Sequence, residues 1–267
     1  MGAYECRAQV ARVMKQLALA LALITLVACT REGQREPLHE PTSPFEVLGS
    51  EFGVSMARVH LGPSRTFRFE AGPCQEVLVF VEKGTARVGL TWLDTGRAAR
   101  FHAPALLQGM SNDGTVIFAV AALSKEAAIE QIDWARVPKN PSCPPRSNEV
   151  VLSDPERSGP FVHAGGRLSV MIYLDGVRDG PPVASLGTLT ADSTLAVPEH
   201  LHERSAEVLW IQDGSGTMRV GDQTRAIRPG TFVRVPPQTL HGFVPDGTRP
   251  LLAYQVYTPS GPEQRFR

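Results

Sequence analysis

A chain of 267 residues is long enough for two ordinary domains, and its 27 basic and 27 acidic side chains leave no basic stripe for a nucleic-acid backbone. Nucleic acid is excluded as a partner on that ground. With 42% hydrophobic residues, 22 prolines and 24 glycines, the composition favours many short strands joined by turns over long helices.

In chain order, Arg7, Arg12 and Lys15 precede an apolar run, Leu17–Ala28 (LALALALITLVA). The run is too short to cross a hydrocarbon core of about 30 Å as a helix and fits the apolar region of a secretory signal. It ends at Leu26, Val27, Ala28 and Cys29, which resembles the lipobox of bacterial lipoproteins. That resemblance makes 1–29 a signal peptide and Cys29 the lipidated residue. With Thr30 following the cysteine, it implies delivery to the periplasmic face of the outer membrane. Met14-Lys15 offers an alternative start. Residues 30–44, polar and punctuated by proline, read as a flexible tether. Cys6 and Cys29 belong to the targeting segment; an exported Cys74 and Cys143 would meet oxidising conditions, and their pairing stays open because sequence does not give their separation.

The remainder repeats itself. Glu76–Gly89 (EVLVFVEKGTARVG) and Glu207–Gly221 (EVLWIQDGSGTMRVG) share their start and their end. Leu107–Thr115 (LQGMSNDGT) and Leu240–Thr248 (LHGFVPDGT) agree at five of nine positions. The offset between the copies drifts from 131 to 133, as insertions in turns would produce. Each copy alternates strand-like runs with Gly, Pro and Asp turns, which indicates an all-β sandwich or small barrel. The first domain is expected over 45–137, a proline-rich linker over 138–157, the second domain over 158–260 and a tail over 261–267. A short helix is expected within 121–135 (KEAAIEQIDWA).

The chemistry concentrates in the second copy. His200 and His202 are spaced to share one face of a strand, and Glu207 opens the next apolar strand. His241 follows Pro236-Pro237-Gln238, a rigid entry to a further strand. Three imidazoles and a carboxylate suit one divalent transition metal (Fe, Mn, Zn, Ni or Cu) and can leave positions open for a ligand. His39, His60, His102 and His163 have no such company. Glu203 and Arg204 are expected to face outward in the turn. Trp210, Met218, Phe243 and Tyr254 read as packing, with Tyr254 the one whose phenol can donate a proton.

From His200 onward this pattern resembles the cupin superfamily, whose first motif is G-x5-HxH-x4-E-x6-G and whose second is G-x5-PxG-x2-H-x3-N. His200, His202, Glu207 and Gly214 fit the first, and Gly230, Pro236 and His241 fit the second. Thr194, Gln238 and Pro245 depart from it at backbone-shaping positions. The resemblance implies two tandem double-stranded β-helix barrels of jelly-roll type, a bicupin, with His200, His202, Glu207 and His241 as metal ligands. In the first copy Glu76 aligns with Glu207, Phe69 and Ala71 with the two histidines, and Gln108 with His241. That copy is therefore expected to hold no metal, with Phe69 plugging its barrel. Three roles remain open: a metal-dependent enzyme of oxygenase, isomerase or lyase type, a lipid-anchored binding module, or a metal that stiffens the fold. In the first, Glu207 serves as ligand or, as in some cupins, detaches to act as base. Expected partners are a small-molecule ligand or substrate, the membrane through the anchor, and a second copy in a homodimer.

Overall fold

The structure, a computed structural model, describes residues 45–69, 75–101, 105–123, 150–175 and 184–267. The expected signal segment with Cys29, the expected tether, Cys74, Cys143, Ala71, His102, the Phe69 side chain and the helix expected beyond Leu123 lie outside the described residues. The first roll contains β1 (Phe45–Glu51), β2 (Val54–Leu61), β3 (Thr66–Phe69), β4 (Gln75–Lys83) and β5 (Thr85–Val88). It continues through β6 (Thr91–Asp94), β7 (Ala98–Phe101), β8 (Ala105–Gly109), β9 (Thr115–Leu123) and β10 (Val151–Leu152). The second roll runs through β11 (Phe161–His163), β12 (Leu168–Leu174), β13 (Ser185–Ala191), β14 (Val197–His200) and β15 (Ala206–Asp213). β16 (Gly216–Val220), β17 (Gln223–Ile227), β18 (Phe232–Val235), β19 (His241–Pro245) and β20 (Leu251–Thr258) complete it.

Each roll pairs a six-stranded sheet with a four-stranded one. The orders are β1-β2-β9-β4-β7-β10 with β3-β8-β5-β6, and β11-β12-β13-β20-β15-β18 with β14-β19-β16-β17. This is the expected all-β jelly roll in duplicate, built as facing sheets. β10 lies in the stretch expected as linker, yet it closes the β7 edge of the first roll.

Three cores explain why the strands read as unbroken apolar runs. Inside the first roll, Val77, Val79 and Val81 meet Ala86, Val88 and Leu107 of the smaller sheet. Inside the second, Leu209 and Ile211 meet Met218 and Phe243. The outward faces of the two large sheets pack on each other through Leu78, Phe80, Phe118, Val208, Trp210 and Tyr254. Central strands of both large sheets are thus buried on both faces, which removes the polar alternation of a half-exposed strand. At one end of this junction β1 lies beside β18: a Cβ on Gly49 would clash with the Phe232 ring, and Glu51 pairs with Arg234 at 3.0 Å. Glycine is needed there for close approach.

The junction also holds a polar group. Tyr254 donates its hydroxyl to Glu82 at 2.7 Å, and Arg58 grips the same carboxylate with two bonds, at 2.7 and 2.9 Å. Tyr254→Phe is expected to cost about 1.5–3 kcal/mol, the range for a hydrogen bond to a charged group. Its metal content should stay unchanged, as chemical denaturation and elemental analysis would check.

The register of the two copies corrects the sequence alignment. A bulge follows Val81 in β4 and Ile211 in β15, and each residue bonds to the corresponding turn of its own roll, Val81 to Gly96 and Arg97, Ile211 to Gly230 and Thr231. Val77, not Glu76, therefore stands where Glu207 stands. Val88 pairs with Leu107 as Val220 pairs with His241, so Leu107 rather than Gln108 takes the place of His241. Phe67 pairs with Leu107 as His200 pairs with His241. Phe67, Val77 and Leu107 offer no donor atom. Glu76 faces the other way, where it pairs with Arg100 at 3.2 Å and accepts the Ala184 N–H at 3.0 Å. Gln108 accepts from Arg87 at 2.7 Å.

Candidate metal centre

β14 ends at His200, which pairs across the ladder with His241, the first residue of β19. The strand does not continue to His202 as alternation would have it. The chain turns through 201–205, leaving Leu201 exposed and burying His202. The carbonyl of His202 accepts the N–H of Gln238 at 2.7 Å, which ties this turn to the segment before His241. Gln238 stands where the cupin pattern has glycine and adopts a left-handed φ of 59°, a conformation that is strained for a side-chain-bearing residue. Glu207 lies in β15 between Tyr257 of β20 and Val235 of β18, so its position is fixed from both sides.

One ligand atom from each of His200, His202, Glu207 and His241 falls within 4.8 Å of all the others. Glu207 Oε2 is 3.2 Å from His202 Nε2 and 2.9 Å from His241 Nε2. His241 Nε2 is out of line for a hydrogen bond, so this buried atom has no hydrogen-bond partner. His200 Nδ1 lies 2.9 Å from the Pro198 carbonyl and His241 Nδ1 lies 2.9 Å from the Thr239 carbonyl. An Nδ1–H donated to a carbonyl leaves the Nε2 lone pair directed inward. Gln255 donates to Glu207 Oε1, and the same amide nitrogen bonds the Tyr257 hydroxyl at 2.8 Å. Convergent imidazole nitrogens, one carboxylate and an orphaned buried nitrogen fit a divalent first-row metal.

The electrostatics agree. Burial alone would raise the Glu207 pKa, but the His202 hydrogen bond and the nearness of His241 outweigh it and hold the carboxyl well below its ordinary range. Burial pulls His200 down, while for His241 the neighbouring Glu207 overcomes burial and pushes the imidazole up. The donors sit at one side of a cavity of about 350 Å³ lined mainly by Leu168, Leu189, Leu209, Ile211, Ile227 and Phe243.

Tyr254 does not belong to this site. Side chains alternate along β20, so Gln255 and Tyr257 face the donors while Tyr254 faces the first roll, its ring stacked on Phe118 at 3.8 Å. Burial and the adjacent Glu82 carboxylate push its phenol far above the ordinary range. Sequence reasoning missed Gln255, Tyr257 and Arg265, whose guanidinium reaches to 3.3 Å from His200 Nε2. The alternation in PLLAYQVYTP carried a signal for the first two; nothing local marked the third.

A family model described as "Cupin domain" matches residues 191–257, which span all four donors. Among solved structures, a deletion mutant of Bacillus subtilis oxalate decarboxylase aligns at 14% identity over 78% of this chain and 69% of that one, with a TM-score of 0.60. A putative glyoxylate induced protein from Pseudomonas aeruginosa aligns at 16% identity over 79% of each chain, with a TM-score of 0.57. A further Bacillus subtilis oxalate decarboxylase structure, whose Mn(II) centres were studied, aligns at 14% identity over 78% of this chain and 70% of that one, with a TM-score of 0.57. Comparison with curated protein sequences returned no match. Residues 191–257 of the second roll match the cupin domain model, and the described chain has a bicupin-like fold similar to that of oxalate decarboxylase.

Proposed function

We propose that this is an exported, lipid-anchored bicupin that holds one divalent metal in its second roll and acts through it, as a metal-dependent oxygenase, isomerase or lyase, on a small organic molecule. The observation that carries the metal reading is the convergence of four donors within 4.8 Å beside an apolar cavity. A metal held there supplies Lewis-acid or redox chemistry at a ligand oxygen. The chain's own residues prepare the place. The carbonyls of Pro198 and Thr239 fix two imidazoles, Gln255 holds one oxygen of Glu207, and the Leu and Ile walls exclude water. Among the candidate ions, manganese draws support from the Mn(II) centres studied in the similar oxalate decarboxylase fold. A turnover screen of the metal-loaded chain with small acids and polyphenols tests the enzyme reading, with product formation that disappears in Glu207→Gln as the expected result.

A second reading, a binding module, draws support from the lining of the cavity. Besides His200, Glu207 and His241, its charged or amide-bearing side chains are Glu199, Gln255 and Arg265, and Glu199 is already paired with Arg219 at 2.8 Å. Tight ligand binding without turnover would favour it.

Metal retention should depend on pH. The proton competes with metal at His241 Nε2, and the pKa of this imidazole is raised above its ordinary 6.5. Affinity is therefore expected to be full above that raised value and to fall as pH drops through it, by up to about tenfold per unit for each competing proton. A competitive metal titration between about pH 8 and pH 5 reads this, and a flat profile would contradict imidazole ligation. Export and anchoring rest on the Leu26–Cys29 pattern. Metabolic labelling with a fatty acid should mark the protein, and Cys29→Ser should abolish the label.

A further inference from the structure

The last seven residues, expected as a trailing tail, are built into the second roll. Pro262–Phe266 forms a 3-10 turn with Glu263 and Phe266 buried. Glu263 accepts from the Ser185 hydroxyl at 3.1 Å and from the Gly261 N–H at 2.7 Å. Phe266 packs against Val170 and Ile172, and its carbonyl lies 3.0 Å from His163 Nε2. The turn is thus pinned to β11, β12 and β13, and Arg265 is carried over the mouth of the metal cavity.

Among the described residues Arg265 is the arginine that lines this cavity. Arg219 is paired with Glu199, Arg249 with Asp213 and Arg267 with Asp175. Among the described residues Arg265 has no carboxylate partner. Its guanidinium lies 4.8 Å from the Phe266 ring and places Nη2 3.3 Å from His200 Nε2, the atom this histidine would offer to a metal. A metal taking that lone pair would displace the guanidinium and leave two positive centres adjacent, since Glu207 is the one carboxylate among the four donors. An anion between them relieves the repulsion and gains charge-assisted hydrogen bonds from the planar guanidinium. The walls select the rest of the molecule: Leu168, Leu189, Ile211, Ile227 and Phe243 offer apolar surface, which a bare dicarboxylate would leave unfilled.

We propose that Arg265 is the anion-reading residue of the metal cavity, and that the cavity takes a monocarboxylic acid with an apolar body whose carboxylate is shared between the guanidinium and the metal site. This rests on the metal reading given above. The test is isothermal titration of 3-phenylpropanoate, its neutral amide and oxalate into the full chain loaded with Mn(II), in parallel with elemental analysis. In the unaltered chain 3-phenylpropanoate should bind more tightly than either the amide or oxalate. Arg265→Gln should weaken 3-phenylpropanoate by about tenfold to a hundredfold, leave the amide unchanged and leave Mn(II) content unchanged. Arg265→Lys, which keeps the charge but loses the fork, should fall between. Equal binding by Arg265→Gln and the unaltered chain overturns the role of Arg265. Oxalate binding more tightly than 3-phenylpropanoate overturns the substrate class, and loss of Mn(II) from Arg265→Gln would show that this residue holds the site rather than reads its ligand. Failure of the unaltered chain to take up Mn(II) or any other divalent ion sinks the metal reading and takes this inference with it.

Discussion

Replacing His241 with alanine is expected to empty the metal site. The residue supplies a buried nitrogen that has no hydrogen-bond partner of its own, so nothing in the fold substitutes for it. Changing a group that merely orients a ligand costs about 10–100-fold in metal affinity, and removal of a ligand should exceed that. Elemental analysis of the purified variant should therefore show almost no bound ion. His202→Ala should behave in the same way. Gln108→Ala should retain the metal of the unaltered chain, because Gln108 faces Arg87 and lies outside the four-donor cluster. Equal metal loss from His241→Ala and Gln108→Ala would refute the asymmetry between the rolls.

The second large effect concerns the junction. Phe118 is fully buried there and stacks on Tyr254. Phe118→Ala is expected to cost about 3–5 kcal/mol, the sum of lost transfer energy and a cavity between two packed sheets. For an assembly of this size that corresponds to a fall in melting temperature of about 6–20 °C. Because both large sheets bury their outer faces in one shared core, the two rolls should melt in a single transition that shifts as a unit. Two separate transitions, with only the first displaced, would show that the rolls are independent.

The donor set was legible because its residues are close in sequence and chemically distinctive. His200, His202 and Glu207 lie within one turn and two strand ends, and His241 follows at a spacing that resembles the cupin pattern. The duplication was legible too, as three blocks in order. Its register was not. Identity at E-V-L drew Glu76 onto Glu207, yet the bulges after Val81 and Ile211 set Val77 in that place. A slip of one residue turns a side chain from the interior to the opposite face, and the matching letters carried no information about the pleat. The same alternation separates Tyr254, at the junction, from Gln255 and Tyr257, at the metal centre. Arg265 was hidden for another reason. Its position depends on Glu263, Phe266 and His163 docking the turn, contacts between residues 78 and 103 positions apart in the chain that no local pattern announces.

The unusual backbone near the site has a similar reading. Sequence alone showed that Gln238 departs from the family glycine; the structure shows it accepting a left-handed conformation while its N–H holds the His202 turn. The hydrogen bond supports the ligand loop, and the surrounding prolines restrict the alternatives.

The most direct test is a metal titration of the full chain, read by elemental analysis after removal of free ion. One tightly bound divalent ion per chain is the expected result. Two equivalent ions would show that the first roll binds as well despite Phe67, Val77 and Leu107, and none with any first-row divalent ion would contradict the metal centre itself.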